Sequence, residues 1–339
     1  MRIILTNGVA LSAMVTLSAC GGSGGGIVTT PPPVSTPGPT PAPAPAPTPT
    51  PTPPAYTKFA DLTGDQDFQN AAAEQRSVTD INGQRTDSFT LANFGSGITF
   101  TYDSVSDSYT LTQADGITST FGPSSLQASS TADLRIFQQL KDPNNPNSSE
   151  ENFRIVAPLI NGVALSYTRI GEWFAYNTAD FTPPFIRTGT RFVAGVPTVA
   201  SDMPTSGSAT YSSVISSGFV RSDSNAFSLS DSTATFDANF LNGTINTSLS
   251  LNAVDGLAGS NPFSLGTVTG IGMVNNGTSS FDGDFTAGGI FTNGEFSGSF
   301  FGPAASEFGY VFILNGNGNL DGTVENFSVY GAVAGAKGP

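Results

Sequence analysis

Twenty-six carboxylates, a single thiol and not one imidazole define the chemistry open to this 339-residue chain. Without His there is no imidazole acid or base, no Ser-His-Asp or Cys-His nucleophile, and no Cys/His zinc or haem ligation. Oxygen ligands for calcium are offered by Asp61-Leu62-Thr63-Gly64-Asp65-Gln66-Asp67 and by Asp282-Gly283-Asp284, but neither keeps the spacing of an EF-hand loop. Both read as solvated turns. The run from Asn315 to Gly322 is equally oxygen-rich, fails the same spacing test and reads as a long hairpin loop. Glu307 has no second carboxylate close in sequence for glycosidase-type chemistry, so a structural hydrogen-bonding role is expected of it. The candidate ligand-binding residues are aromatic: Trp173, Phe174 and Tyr176, with Tyr167 expected across a hairpin. Strand alternation puts Phe174 and Tyr176 on one face and Trp173 on the other, so at least one large ring is expected outside as an interface anchor, with plain core packing as the competing reading. No catalytic residue, metal or cofactor is expected, and a hydrolase working with carboxylates alone ranks last among the functions.

Charge narrows the partners. The first acid is Asp61 and only Arg2 precedes Lys58 among the bases, so the rest of the chain sets 11 bases against 26 acids, a net of −15. Such a body repels phosphate backbones and anionic headgroups, which argues against nucleic acid and against a polybasic route to a membrane. A protein or small-solute ligand remains open.

Residues 1–19 have the shape of an export signal: Arg2, then a short apolar stretch from Ile3 to Val15, too short and interrupted to span a bilayer. Leu17-Ser18-Ala19-Cys20 resembles a bacterial lipobox. The resemblance implies cleavage before Cys20, acylation of that cysteine, and an anchor of several acyl chains, which holds where one chain is marginal. Gly21, rather than Asp, after the cysteine implies sorting to the outer membrane, so the expected location is the outer membrane, lipid-anchored at the cell surface. From Cys20 to residue 55 a Gly-rich hexad and 13 prolines within residues 31–54 predict a disordered tether. In polyproline II the proline part reaches roughly 70 Å at about 3.1 Å per residue.

The remainder reads as all-β. Eleven Asn-Gly or Asp-Gly pairs follow Tyr56, eight of them after Leu241, and such pairs supply the positive φ angles of tight hairpin turns. The clearest hairpin carries Ala234, Phe236, Ala238 and Phe240 on one face, turns at Asn242-Gly243, and returns with Ile245, Thr247, Leu249 and Leu251. Eight strands are expected near residues 207–215, 232–241, 244–252, 264–273, 279–286, 289–301, 308–315 and 323–335. Closing them into an antiparallel up-and-down barrel removes the exposed edges, and eight strands leave room for a packed core or one small ligand. Residues 56–202 read as a separate β-rich domain. Its short strands are Phe89–Phe94, Ile98–Asp103, Tyr109–Gln113 and Ile117–Phe121; Leu134–Leu140 fits helix or strand equally, and a hairpin is expected around Gly171.

Gly294-Glu295-Phe296-Ser297-Gly298-Ser299-Phe300-Phe301-Gly302-Pro303-Ala304-Ala305-Ser306-Glu307-Phe308-Gly309 resembles the barrel signature of transferrin-binding protein B-like surface lipoproteins. Pro204-Thr205-Ser206-Gly207-Ser208-Ala209-Thr210-Tyr211 is similar to that family's opening barrel strand, and Gly335-Ala336-Lys337 to its close. Tyr310 and Ala334 depart from the pattern, standing where the family has Gly and Phe. The resemblance implies one lobe: a handle-like domain over 56–202 and an eight-stranded barrel over 203–339. It further implies non-covalent capture of a protein or small solute by handle loops and barrel rim, as accessory to an outer-membrane nutrient or iron importer. The alternative is a structural or adhesive surface lipoprotein with no role in uptake. The family's transferrin-binding surface does not carry over, because the chain has length for one lobe and no matching contact motif.

Overall fold

Alternating apolar side chains and frequent turn residues make strands of nearly the whole body. The computed structural model describes residues 54–222, 226–254, 262–320 and 324–338, all within one compact unit, Thr52–Pro339. Cys20, the signal segment and the tether through residue 53 lie outside the described residues, as do the Asp255-Gly256 and Asp321-Gly322 pairs. The first twelve strands are β1 (Gln66–Asp67), β2 (Asn70–Thr79), β3 (Arg85–Ala92), β4 (Thr99–Asp103), β5 (Ser108–Thr112), β6 (Thr118–Phe121), β7 (Leu134–Leu140), β8 (Glu150–Val156), β9 (Leu159–Ile160), β10 (Val163–Ala164), β11 (Thr168–Tyr176) and β12 (Phe185–Gly195). The rest are β13 (Ser208–Ser222), β14 (Ala226–Leu229), β15 (Thr233–Asn239), β16 (Thr244–Val254), β17 (Phe263–Val274), β18 (Ser280–Phe285), β19 (Phe291–Phe301), β20 (Glu307–Asn319) and β21 (Val324–Lys337).

Strands β13 to β21 close on themselves, because β13 pairs with β21 from Tyr211↔Lys337 to Ser222↔Phe327. Both β14 and β15 lie between β13 and β16, so they are two pieces of one interrupted strand and the barrel has eight positions. A bulge between Ile215 and Ser217 bends β13, which helps a closed sheet turn its corner. The interior is filled: Phe236, Phe281, Phe296, Phe300, Phe308, Tyr310 and Phe312 are buried in one cluster, and Phe236 stacks on Phe308 at 3.8 Å between centroids. Of the two interiors an eight-stranded barrel permits, this one is packed.

The first half forms two further layers. A six-stranded antiparallel sheet, ordered β3-β2-β12-β11-β8-β7, has one face against the four-stranded sheet β1-β4-β5-β6 and the other against the barrel wall. On the first face Phe137, Phe153, Trp173 and Phe192 meet Phe100, Leu111 and Phe121. On the second, Ala71, Ala73, Ile170 and Val193 meet Phe301, Val311, Ile313 and Tyr330. Being covered on both sides explains the unbroken buried runs in β12 and β20, apolar in β20 and including Thr188, Thr190 and Arg191 in β12. It also suits β2, whose buried Ala71, Ala72 and Ala73 are small enough for a strand clamped between two layers.

One ambiguity is resolved and two local expectations are corrected. Leu134–Leu140 is a strand, its Phe137 stacked on Phe153 at 5.6 Å. Gly171 turns nothing; it sits inside β11, where an added Cβ would lie 2.0 Å from Phe192 Cζ, so the glycine makes room for a ring. Of the nine described Asn-Gly and Asp-Gly pairs, five have the positive-φ glycine of a turn, at Gly83, Gly116, Gly162, Gly243 and Gly277. The other four lie inside strands. A Cβ at Gly283 would come 2.7 Å from Phe296 Cζ and one at Gly316 2.3 Å from Phe327 Cζ, so these glycines also admit rings. The Asp282 turn is therefore strand, in β18, and the Asn315 run is strand through Asn319, in β20.

The barrel phenols carry a pH prediction. Burial pushes the Tyr211 and Tyr310 hydroxyls well above the ordinary phenol range, the Thr247 hydrogen bond to Tyr310 opposing only in part. A raised folded-state pKa leaves stability intact while tyrosine is neutral in both states and lowers it once the unfolded chain alone ionises. Chemical-denaturation midpoints should therefore hold up to about pH 9 and fall above about pH 10, less steeply in Tyr310→Phe. A midpoint constant to about pH 11 would contradict this assignment.

Candidate functional site

Strand β11 places three of the four aromatic candidates, and both of its faces are covered. Trp173 is fully buried in the core shared with the four-stranded sheet. Phe174, on the opposite face, is half-buried and lies 4.8 Å from the guanidinium of Arg191, which is itself wholly buried. Phe219 and Tyr330 cover the same guanidinium at 4.8 and 5.4 Å, Ser217 Oγ accepts from its Nε at 2.7 Å, and Glu172 lies 3.8 Å away. Rings and one carboxylate thus hold this cation between the six-stranded sheet and the barrel. Tyr167 precedes β11, half-buried, its ring over Gly302, where a Cβ would come 2.4 Å from Tyr167 Cδ2. The four residues do not form one cluster: Tyr167 and Phe174 lie at the barrel junction, Trp173 in the core, and Tyr176 at the far end of the sheet. The outward anchor expected on this strand is not there, because neither face is free.

Glu307, the first residue of β20, ties the junction together. Its carboxylate accepts the backbone N–H groups of Ser166, Tyr167 and Thr168 at 2.7, 3.0 and 2.9 Å. The structural role expected from sequence is the role observed. Around it, Gly302 N–H donates to Val196 O at 2.9 Å and Thr198 N–H to Phe300 O at 2.9 Å. Asp282 accepts from Asn275 Nδ2 at 2.9 Å and Asp65 from the Ser104 N–H at 2.9 Å, so these calcium candidates serve local hydrogen bonds.

One exposed apolar surface that sequence reasoning missed sits at one end of the six-stranded sheet. The pairings Thr79↔Phe185, Tyr176↔Arg187 and Leu140↔Glu150 bring the connections 80–84, 141–149 and 177–184 to that end. Ser149 N–H donates to Ala179 O at 2.7 Å, joining two of them. Phe181 stands 52% exposed with its edge on Tyr176 at 5.3 Å, and Ile81 is 77% exposed in the neighbouring turn. Tyr176 therefore supports an exposed ring without being one. Ile81 and Phe181 lie outside any alternating strand pattern, so no periodicity marks them; only the pairing of β2 with β12 brings them to one end.

These observations define a class: an all-β lobe in which a closed eight-stranded barrel carries a two-sheet platform with an apolar loop end. Residues 203–337 match the family described as C-lobe and N-lobe beta barrels of Tf-binding protein B, and the fold is transferrin-binding protein B-like. Among solved structures, the isotype 1 transferrin binding protein B of serogroup B Neisseria meningitidis is similar at 17% identity and a TM-score of 0.41; the match covers 79% of this chain and 44% of that one. The haemoglobin receptor HpuA of Kingella denitrificans is similar at 16% identity and a TM-score of 0.34, over 81% of this chain and 87% of that one. The chain thus spans less than half the length of the meningococcal protein. No curated protein matches it.

Proposed function

We propose that this protein is an outer-membrane surface lipoprotein, anchored through acylated Cys20, that captures a protein or small solute without covalent chemistry as accessory to an importer. The observation that carries the reading is the match of residues 203–337 to the barrels of a named binding-protein family. The lipobox-like Leu17-Ser18-Ala19-Cys20 and the proline spacer agree with it, since a capture module at a cell surface needs an anchor and reach. In this reading residues 20–55 are the tether, 56–202 the handle and 203–339 the barrel. With the barrel interior packed, binding falls to the handle loops and the barrel rim, and the handle's loop end with Ile81 and exposed Phe181 is the favoured surface for a macromolecule, aromatic rings being enriched at interface cores.

A structural or adhesive role is the alternative. Affinity capture from host or environmental fluid with the purified full-length protein, read by mass spectrometry, separates the two. Capture predicts one saturable partner that competes with itself; broad, weak, unsaturable adherence supports adhesion instead.

A further inference from the structure

Beside the chain segment that enters the body, a cavity of about 280 Å³ opens between the four-stranded and six-stranded sheets. That size is at the small end for small-molecule sites, which run from about 300 Å³ upward. Phe59, Phe68, Tyr102 and Tyr109 give it aromatic walls, and Arg135 and Arg169 give it two guanidinium groups. The two cations differ in what answers them. Arg135 is paired, its Nη2 3.1 Å from Asp107 Oδ2. Arg169 is only 5% exposed. Its Nη1 donates to Leu165 O and Thr168 O, both at 2.8 Å, and its guanidinium lies 4.6 Å over the Phe59 ring. Among the described residues no acceptor reaches its Nε or Nη2, and no carboxylate lies within ion-pair distance. Burial pulls its pKa down, with Glu307 and Asp133 opposing at longer range.

The Nε and Nη2 donors of this otherwise buried side chain open into the cavity, where a bound anion would meet them, and the planar guanidinium fork matches a carboxylate. The aromatic walls suit a flat apolar body. Exposed Asp133, also lining the cavity, disfavours a dianion such as phosphate. We propose that this cavity is a binding site for a small aromatic or similarly flat monocarboxylate, with Arg169 as its anion anchor. The proposal deepens the solute branch of the capture reading and rests on that reading for its biological role, though its chemistry stands on the cavity alone.

The probe is phenylacetate, titrated calorimetrically into the full-length protein with neutral phenylacetamide as comparison. Saturable one-to-one binding is expected, with Kd on the order of 1 mM or tighter. The amide and Arg169→Gln should each weaken it about ten- to a hundred-fold, the loss that follows removal of a charge-assisted hydrogen bond. Ala132→Phe, which fills the cavity from an exposed position, should abolish it. Should Arg169→Gln fail to fold, the amide and Ala132→Phe decide the matter, since neither alters Arg169. No saturable binding of phenylacetate, equal affinity for the amide, or unchanged binding in Ala132→Phe overturns the proposal. A macromolecular partner still recovered from fluid in that case leaves the capture reading standing.

Discussion

Replacing Glu307 by Ala is expected to lower unfolding free energy by about 3–5 kcal/mol, because three backbone N–H donors, one buried and two part-buried, lose a shared charged acceptor. The side chain is 7% exposed, so water cannot easily take its place. Its partners, residues 166–168, lead into β11, and Glu307 itself opens β20, so the loss falls on the join between the six-stranded sheet and the barrel. Glu307→Gln keeps one carbonyl acceptor but turns an amide donor toward backbone donors, and should cost about 2–3 kcal/mol. Guanidinium denaturation measures both. A loss below about 1 kcal/mol for the alanine variant would show that the carboxylate does not hold the junction.

Phe236→Ala carries the second large effect, at the centre of the barrel. The ring is fully buried, stacked on Phe308, with Phe281 at 5.3 Å and Tyr211 at 5.5 Å between centroids. Removing it deletes the transfer energy of an aromatic side chain and leaves a cavity that the surrounding β-barrel cannot collapse around, a cost of about 3–5 kcal/mol. Phe236→Leu refills most of the volume and should cost about 1–2 kcal/mol. If the alanine variant were as stable as the parent, the interior would be loosely filled and a barrel-centred ligand site would return to consideration.

Strand order in the barrel was legible because its inner face alternates: β16 buries Ile245, Thr247, Leu249, Leu251 and Ala253 in turn. The expected strands near 232–241 and 244–252 match β15 and β16 closely; β13, β17, β20 and β21 run longer than read, and β18 and β19 slightly shorter. Alternation fades where both faces are buried, which is why β2 and β12 were not assigned; β7, an edge strand with Phe137 alone fully buried, has too little alternation to separate strand from helix. Glycine misled for a related reason. Gly171 and Gly283 hold space for Phe192 and Phe296, and nothing local distinguishes such a glycine from one in a turn. The aromatic candidates were legible as a cluster in sequence but not in space, since the covering of β11 from both sides depends on contacts with residues as distant as Phe301 and Tyr330. The lone Arg169 left no sequence signal at all; a basic residue in a strand looks the same whether or not a carboxylate faces it.

Protease added to intact cells tests the surface-capture account most directly. The account predicts that the body beyond residue 54 is digested on intact cells carrying the wild-type chain. It also predicts that Cys20→Ala releases the same body, folded, into a soluble fraction. Digestion only after lysis would place the protein on the inner side of the outer membrane and contradict the account.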